Sequence, residues 1–289
     1  MLFGEIVVGP PGVGKSTYIA YKVKLLEKRK IFTINLDPGN TGEFDYDIKK
    51  YCHGTTTNEE NKNDKSKKFY SSTPNKAIKK LLSELSTSKE IFDDNENYFL
   101  IDIPGQLESV ISYPYIEEFI TYLKKQNIHL VVISLIDSSI FCNTHNLITS
   151  LLFQSILMIN LDAPFIIVIS KCDNIKNYNI NLDITKEKIK HSTYTLNRMA
   201  ENEYITFDDN KLLTYLNNLK YTTDNKFLLT ALEYIENEAL VGIELLDYEN
   251  KDTVMYLQCL IDKIHGDDFY LKDLEEVPDK EKIYEYYFK

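Results

Sequence analysis

The run Gly9-Pro-Pro-Gly-Val-Gly-Lys-Ser16 fits the pattern G-x4-G-K-[ST] in full. It follows Phe3-Gly-Glu-Ile-Val-Val8, which reads as a short strand, and precedes Ile19 to Glu27, which reads as a helix with a mixed apolar face. A chain that passes from strand through such a turn into a helix has few architectures open to it. In that setting the backbone N–H groups of Gly12, Val13, Gly14 and Thr17 can surround phosphate oxygens at a helix N-terminus. Lys15 can reach β and γ phosphates, and Ser16 can ligate Mg²⁺. The motif selects phosphate and metal but not a base.

The rest of the chain continues the same alternation. Ile31 to Leu36 reads as a second strand, stopped by Asp37-Pro38-Gly39-Asn40. From Pro74, residues Ala77, Ile78, Leu81, Leu82 and Leu85 recur at helical spacing. Tyr98–Ile101, Leu130–Ile136 and Phe165–Ile169 are further strands, the last two apolar enough to be covered on both faces. Thr144–Leu161 reads as an apolar helix, Ala239–Leu246 as a last strand and Thr253–Ile264 as a closing helix. These elements predict a three-layer α/β P-loop fold with a mainly parallel sheet, helices on both faces and helical additions. One domain is expected over 1–266, with a polar insertion at about 55–68 that holds no apolar residue. An acidic, Tyr-rich tail, 267–289, remains; it docks on its own domain, meets a partner or stays loose.

Composition narrows the function. With 33 Lys and Arg against 44 Asp and Glu, the net charge of −11 disfavours sequence-independent nucleic-acid binding and a polybasic membrane anchor. Nucleic acid and membrane are therefore not expected partners. No apolar run is long enough to span a bilayer and no basic leader precedes Phe3, so a soluble intracellular protein is expected. Cys52, Cys142, Cys172 and Cys259 lie far apart and read as plain thiols in a reducing compartment. His53, His129, His145, His191 and His265 show no metal-ligand spacing.

Three further segments carry chemistry. Asp102-Ile-Pro-Gly105 directly follows a strand, where a carboxylate can hold Mg²⁺ through water and the Gly105 N–H can sense a γ-phosphate. Gln106 can orient an attacking water, a surface or capping amide being the plain alternative. Asp37 can bind Mg²⁺ through water or polarise the nucleophile, or simply form a turn. In Ser170-Lys-Cys-Asp173 a carboxylate can accept two N–H bonds from a guanine edge while the Lys171 stem lies over the base. Adenine offers a different donor pattern, so Asp173 there would discriminate.

The sequence GPPGVGKST, then NLDPGN at 35–40, DIPGQ at 102–106 and SKCD at 170–173, resembles the GPN-loop GTPases, over roughly 3–265. Pro10-Pro11 and Asn40 look most like the second eukaryotic paralogue. The resemblance implies Mg²⁺-dependent turnover of GTP to GDP. It also implies a homodimer, or a heterodimer with a related paralogue, whose nucleotide sites face each other. The cellular role it implies is assembly and nuclear import of RNA polymerase II, and of polymerase III, with polymerase subunits or assembly factors as partners. The location implied is the cytoplasm, with shuttling to the nucleus. In the family a Gly-Pro-Asn loop reaches the partner's site and helps place the catalytic water. Here the matching residues are Thr73-Pro74-Asn75, so Asn75 is kept and the glycine is replaced. Where positive φ or close backbone approach is needed, Thr serves badly. Two rival readings remain: a guanine-nucleotide scaffold with little hydrolysis of its own, and a P-loop kinase. With only Arg29 and Arg198 in the chain, an arginine lid for a kinase is hard to supply.

Overall fold

Val7 and Val8, wholly buried like the rest of Leu2–Val8 (β1), deliver the chain into the Gly-rich turn. In the computed structural model, residues 1–52, 74–88, 90–94, 96–105, 114–142, 144–177, 243–266 and 277–287 are described. The insertion at 55–68, Thr73, Gln106 and the polar stretch from 178 to about 219 lie outside them. The described chain forms two compact units, Met1–Leu130 and Val131–Lys289.

In the first unit, Lys15–Leu25 is α1, Lys30–Asn35 β2, Tyr46–Asp47 β3 and Lys49–Cys52 α2. Pro74–Thr87 is α3, Glu90–Asp93 α4, Asn97–Asp102 β4 and Pro114–Lys125 α5. The strands lie in the order β3-β2-β4-β1. All three pairings are parallel, with Phe3 opposite Tyr98 and Asn35 opposite Asp102. Consecutive strands β1 and β2 are thus separated by β4, so the ends of β2 and β4 lie side by side. Every residue of β4 is buried, as covering on both faces requires.

In the second unit, β5 (Ile128–Asp137) enters from the first and pairs in parallel with β6 (Phe165–Ser170), which pairs in parallel with β7 (Ile243–Leu245). Between them lie a 3₁₀ turn at Ser138–Cys142 and α6, Thr144–Leu161. Ser134 of β5 hydrogen-bonds Gln154 of α6, both fully buried, so this apolar helix carries one polar tie to its strand. A second 3₁₀ turn, Cys172–Asn177, follows β6. Lys251–His265 is α7, capped at its start by the Asn250 side chain and at its end by Gly266 at φ 71°. Lys280–Tyr287 is α8.

The fold is a three-layer α/β arrangement with a mainly parallel central sheet and helices on both faces, as the strand–helix alternation predicts. The short elements β3, α2 and α4 are absent from the sequence reading, and three larger details differ from it. The first helix begins at Lys15, because Gly14, at φ 103°, ends the turn in a left-handed conformation and releases the helix at once. The segment 114–125, outside the elements the sequence predicts, forms α5, with Tyr115, Ile116, Phe119, Ile120 and Leu123 buried on one face. Of the last strand expected over 239–246, Ile243–Leu245 is paired and Leu246 lies just beyond it, while 239–242 lie outside the described residues. No helix among those residues is long and apolar enough to cross a membrane.

Candidate nucleotide site

The phosphate-binding candidate is built at the carboxyl ends of β1, β2 and β4. Gly9, Gly12 and Gly14 have φ of 150°, 78° and 103°, conformations a side chain would resist. The turn hands over to α1 with no side-chain cap and no acidic residue in its first turn. That end therefore presents uncapped N–H groups and the positive pole of the helix. Lys15 is nearly buried, its Nζ donating to the Gly9 carbonyl at 3.0 Å and the Pro10 carbonyl at 3.4 Å. Ser16 and Thr17 are exposed beside it.

A buried polar cluster holds α1 down. Glu5 of β1 is fully buried and receives hydrogen bonds from Tyr18 Oη at 2.5 Å and Tyr98 Oη at 2.6 Å. Lys22 Nζ ion-pairs with Glu5 at 2.9 Å, both side chains sealed from solvent. Strands β1 and β4 and helix α1 are thereby tied by directional bonds as well as packing, and leaving any partner unpaired would be costly. Sequence reasoning did not find this cluster; the charged Glu5 within an otherwise apolar strand was its only signal.

Opposite Lys15 stands Gly105. A Cβ on Gly105 would fall 2.6 Å from both Lys15 Nζ and the Gly9 carbonyl oxygen, so the D-x-x-G glycine lies directly against the phosphate loop. Asp102, at the end of β4, is fully buried. One carboxylate oxygen accepts from the Asn40 amide; the other, Oδ1, has no hydrogen-bond partner among the described residues. Burial is the main force raising the Asp102 carboxyl to about 7, and nearby Asp37 adds to it. Lys15 and the Asn40 bond oppose the rise.

The loop after β2 is internally organised. Asp37 accepts from the Gly39 N–H at 2.8 Å, and Asn35 brackets it, accepting from the Asp37 N–H and donating to its carbonyl, both at 2.9 Å. Asp37 thus forms a turn as well as facing Asp102 electrostatically. Lys49 Nζ donates to the Asn40 carbonyl at 2.8 Å and pairs with Asp47 at 3.1 Å, fastening the far end of the loop. Asn40 as the partner of Asp102 also escaped the sequence reading, although it stands in the NLDPGN run.

The structure therefore brings Lys15, Asp102, Gly105 and Asp37 together. The buried, half-satisfied carboxylate of Asp102 suits a hydrated Mg²⁺. Among the described residues no group of three or more acidic, His or Cys side chains forms a metal cage. Mg²⁺ needs none, since it keeps waters and takes phosphate oxygens with one or two protein ligands. Asn75 stands in the first turn of α3.

In the second unit the Ser170–Asp173 segment has its own logic. Lys171 and Asp173 are exposed and Cys172 is fully buried between them, so both polar side chains face outward. Lys171 adopts φ 57°, held by Ser138 Oγ, which donates to its carbonyl at 2.8 Å. Its Nζ pairs with Asp137 of β5 at 2.7 Å. Although burial works against it, hydrogen bonds from Lys171 and Ser139 hold the Asp137 carboxyl below the ordinary aspartate value. Of the four free cysteines only Cys142 is exposed. Burial raises the Cys172 thiol to about 12, the Cys259 thiol to about 11, and the Cys52 thiol as well.

The end of the tail docks on this second unit. Lys280 ion-pairs with Glu244 of β7 at 2.7 Å. Tyr287 is buried, its Oη donating to Asp247 at 2.7 Å and accepting from Asn250 at 3.2 Å. Burial and Asp247 push the Tyr287 phenol far up, so it remains a proton donor.

A strand, a glycine turn closing on a helix with an inward lysine, and an aspartate at the end of the adjacent strand define a P-loop α/β protein. A family model described as "Conserved hypothetical ATP binding protein" matches residues 7–266. The chain belongs to that family, and at family level it is homologous to the GPN-loop GTPases. It is 29% identical over 278 residues to the GPN-loop GTPase QQT1 of Arabidopsis thaliana, covering 92% of this chain and 86% of that protein. It is 25% identical over 284 residues to GPN-loop GTPase 2 of Danio rerio, covering 95% and 83%. The crystal structure of a GTPase in apo form from Pyrococcus abyssi superposes with a TM-score of 0.55 at 20% identity, covering 91% of this chain and 97% of that one. At that identity the likeness speaks for the fold.

Proposed function

We propose that this chain binds GTP with Mg²⁺ and hydrolyses it to GDP and phosphate. The observation that carries the reading is the contact of Gly105 with Lys15 and the Gly9 carbonyl, beside the buried Asp102. A group arriving at Lys15 meets the Gly105 backbone in the same step, so the γ-phosphate is read by both segments. Lys15 exchanges the Gly9 and Pro10 carbonyls for β and γ oxygens, and Gly12, Val13, Gly14 and Thr17 line the phosphates with N–H groups. Ser16, Asp37 and Asp102 hold Mg²⁺, the carboxylates through water. When bound, the ion neutralises charge that builds on the phosphate oxygens. Gln106 orients the attacking water, and Asn75 supports it across a dimer interface.

The base is guanine, read by Asp173 with the Lys171 stem over its plane. The family is described as ATP-binding whereas the relatives' names say GTPase; the exposed Asp173 carboxylate in the turn after β6 favours guanine. The wider role we assign is assembly and nuclear import of RNA polymerase II, and of III, in the cytoplasm with nuclear shuttling. The chain acts there as a homodimer or with a related paralogue, and most resembles the second of them. The four-motif order supports this.

GTP turnover measured over a wide protein concentration range, with ATP alongside, tests the proposal. A rate per subunit that climbs with concentration and is specific for GTP supports a dimeric GTPase. Tight GTP binding with negligible turnover at every concentration favours the scaffold reading, to which Thr73 in place of glycine lends weight. Turnover that prefers ATP would overturn the base assignment.

A further inference from the structure

The helix α8 touches two segments at once. Its first residue, Lys280, is fixed to Glu244 in β7, and its last, Tyr287, to Asp247 and Asn250 in the turn that leads into α7. Strand β7 lies parallel to β6, with Ile169 opposite Leu245, and the Leu246 N–H donates to the Ile169 carbonyl at 2.8 Å. Continuing that register, Leu246 stands level with Ser170 and Asp247 with Lys171, inside the Ser170–Asp173 segment. The same helix packs against the 3₁₀ turn Cys172–Asn177, which carries Asp173.

We propose that α8 positions the base-reading segment, and that Tyr287 is the residue through which it does so. The proposal rests on the assignment of Asp173 as the guanine reader. Asp173 and Lys171 make an exposed pair on a tight turn; the Ser138 hydroxyl and the Asp137 ion pair hold Lys171, and inward Cys172 bonds the Ile169 carbonyl, but none of these three ties acts on the Asp173 side chain itself. Such a turn needs support from one side to hold its carboxylate at a fixed angle to a base edge, and α8 supplies that support. Packing alone would be served by apolar side chains. Instead the helix is held by a buried Lys–Glu pair, costly to bury, and by a bond from the buried Tyr287 phenol to the half-buried Asp247 carboxylate, both directional. These contacts fix where along β7 and its turn the helix sits. Tyr287 is a positioning residue: it acts on the base through the 3₁₀ turn and touches no nucleotide.

The test is direct titration of the full chain with GDP and with ADP, each with Mg²⁺, for the parent, Tyr287→Phe, Lys280→Met and Asp173→Asn. Tyr287→Phe keeps the ring and removes the bonds to Asp247 and Asn250. It should narrow the preference for GDP over ADP by about tenfold, the scale of one charge-assisted hydrogen bond, by weakening GDP and sparing ADP. Lys280→Met, which frees the other end, should narrow the preference in the same sense. If Tyr287→Phe weakens both nucleotides equally, or leaves the ratio at its parent value while Asp173→Asn collapses it, α8 is only a packing element and the proposal falls. If Asp173→Asn leaves the ratio unchanged, the guanine reading itself is wrong and the proposal goes with it.

Discussion

The side-chain amide of Asn40 donates to the buried carboxylate of Asp102, joining the loop after β2 to the end of β4. The bond occupies one Asp102 oxygen and leaves the other, Oδ1, with no hydrogen-bond partner among the described residues. A residue read at first as part of a turn thus decides which face of Asp102 is available.

Asn40→Ala should cost about 1–3 kcal/mol of stability, the penalty for orphaning a buried acceptor. It also removes one of the two influences that restrain the Asp102 carboxyl, which should move further up. Denaturant unfolding of parent and variant checks the first effect. Weaker Mg²⁺-dependent GTP binding at neutral pH checks the second.

Gly105→Ala puts a methyl group where Lys15 Nζ and the Gly9 carbonyl already stand. The lysine can swing aside, but the Gly9 backbone cannot without opening the phosphate loop. Overpacking of this kind costs about 1–3 kcal/mol. GTP affinity should therefore fall by roughly 10- to 100-fold. Unaltered GTP affinity would show that the two segments separate freely.

Asp102 makes stability depend on pH in a definite sense. Its folded value, about 7, lies above the ordinary 3.8, so the folded chain keeps this proton where the unfolded chain has lost it. The contribution is fully present below the ordinary value and is lost as pH rises through about 7. Between those values nucleotide-free parent should lose up to about 1.4 kcal/mol per pH unit relative to Asp102→Asn. Equal pH slopes for the two proteins would show that Asp102 titrates normally.

Lys15→Ala should abolish tight triphosphate binding, while Gln106→Ala should leave binding near the parent value and slow turnover about 10²-fold or more. Single-turnover hydrolysis beside equilibrium GTP binding separates the two. Parent-like turnover in Gln106→Ala would remove it from the reaction.

The parts of the site legible in the sequence are contiguous ones. Gly9–Ser16, Asp102–Gly105 and Lys171–Asp173 each carry their chemistry within a few residues, and each follows a strand the apolar pattern reveals. Pairings that depend on strand order were not legible. Asn40 meets Asp102 because β2 and β4 are neighbours with Asn35 opposite Asp102, and no local pattern encodes that. Lys171 with Asp137, and Glu5 with Lys22, are likewise products of packing between elements. Helix α5 differs: its apolar spacing and the Pro at its first position were in the sequence to be read. The docked end of the tail was one of several readings left open, since Tyr287 shows its partners only once β7 and α7 are in place.

Burial of three cysteines has a practical side. Cys52, Cys172 and Cys259 are shielded and their thiols resist ionisation, while Cys142 lies open on the turn after β5. A maleimide dye added to the native chain should therefore attach at a single position without any residue being removed. The protein carries its own attachment point for a fluorescence reporter, within a few residues of the Asp137 that pairs with Lys171.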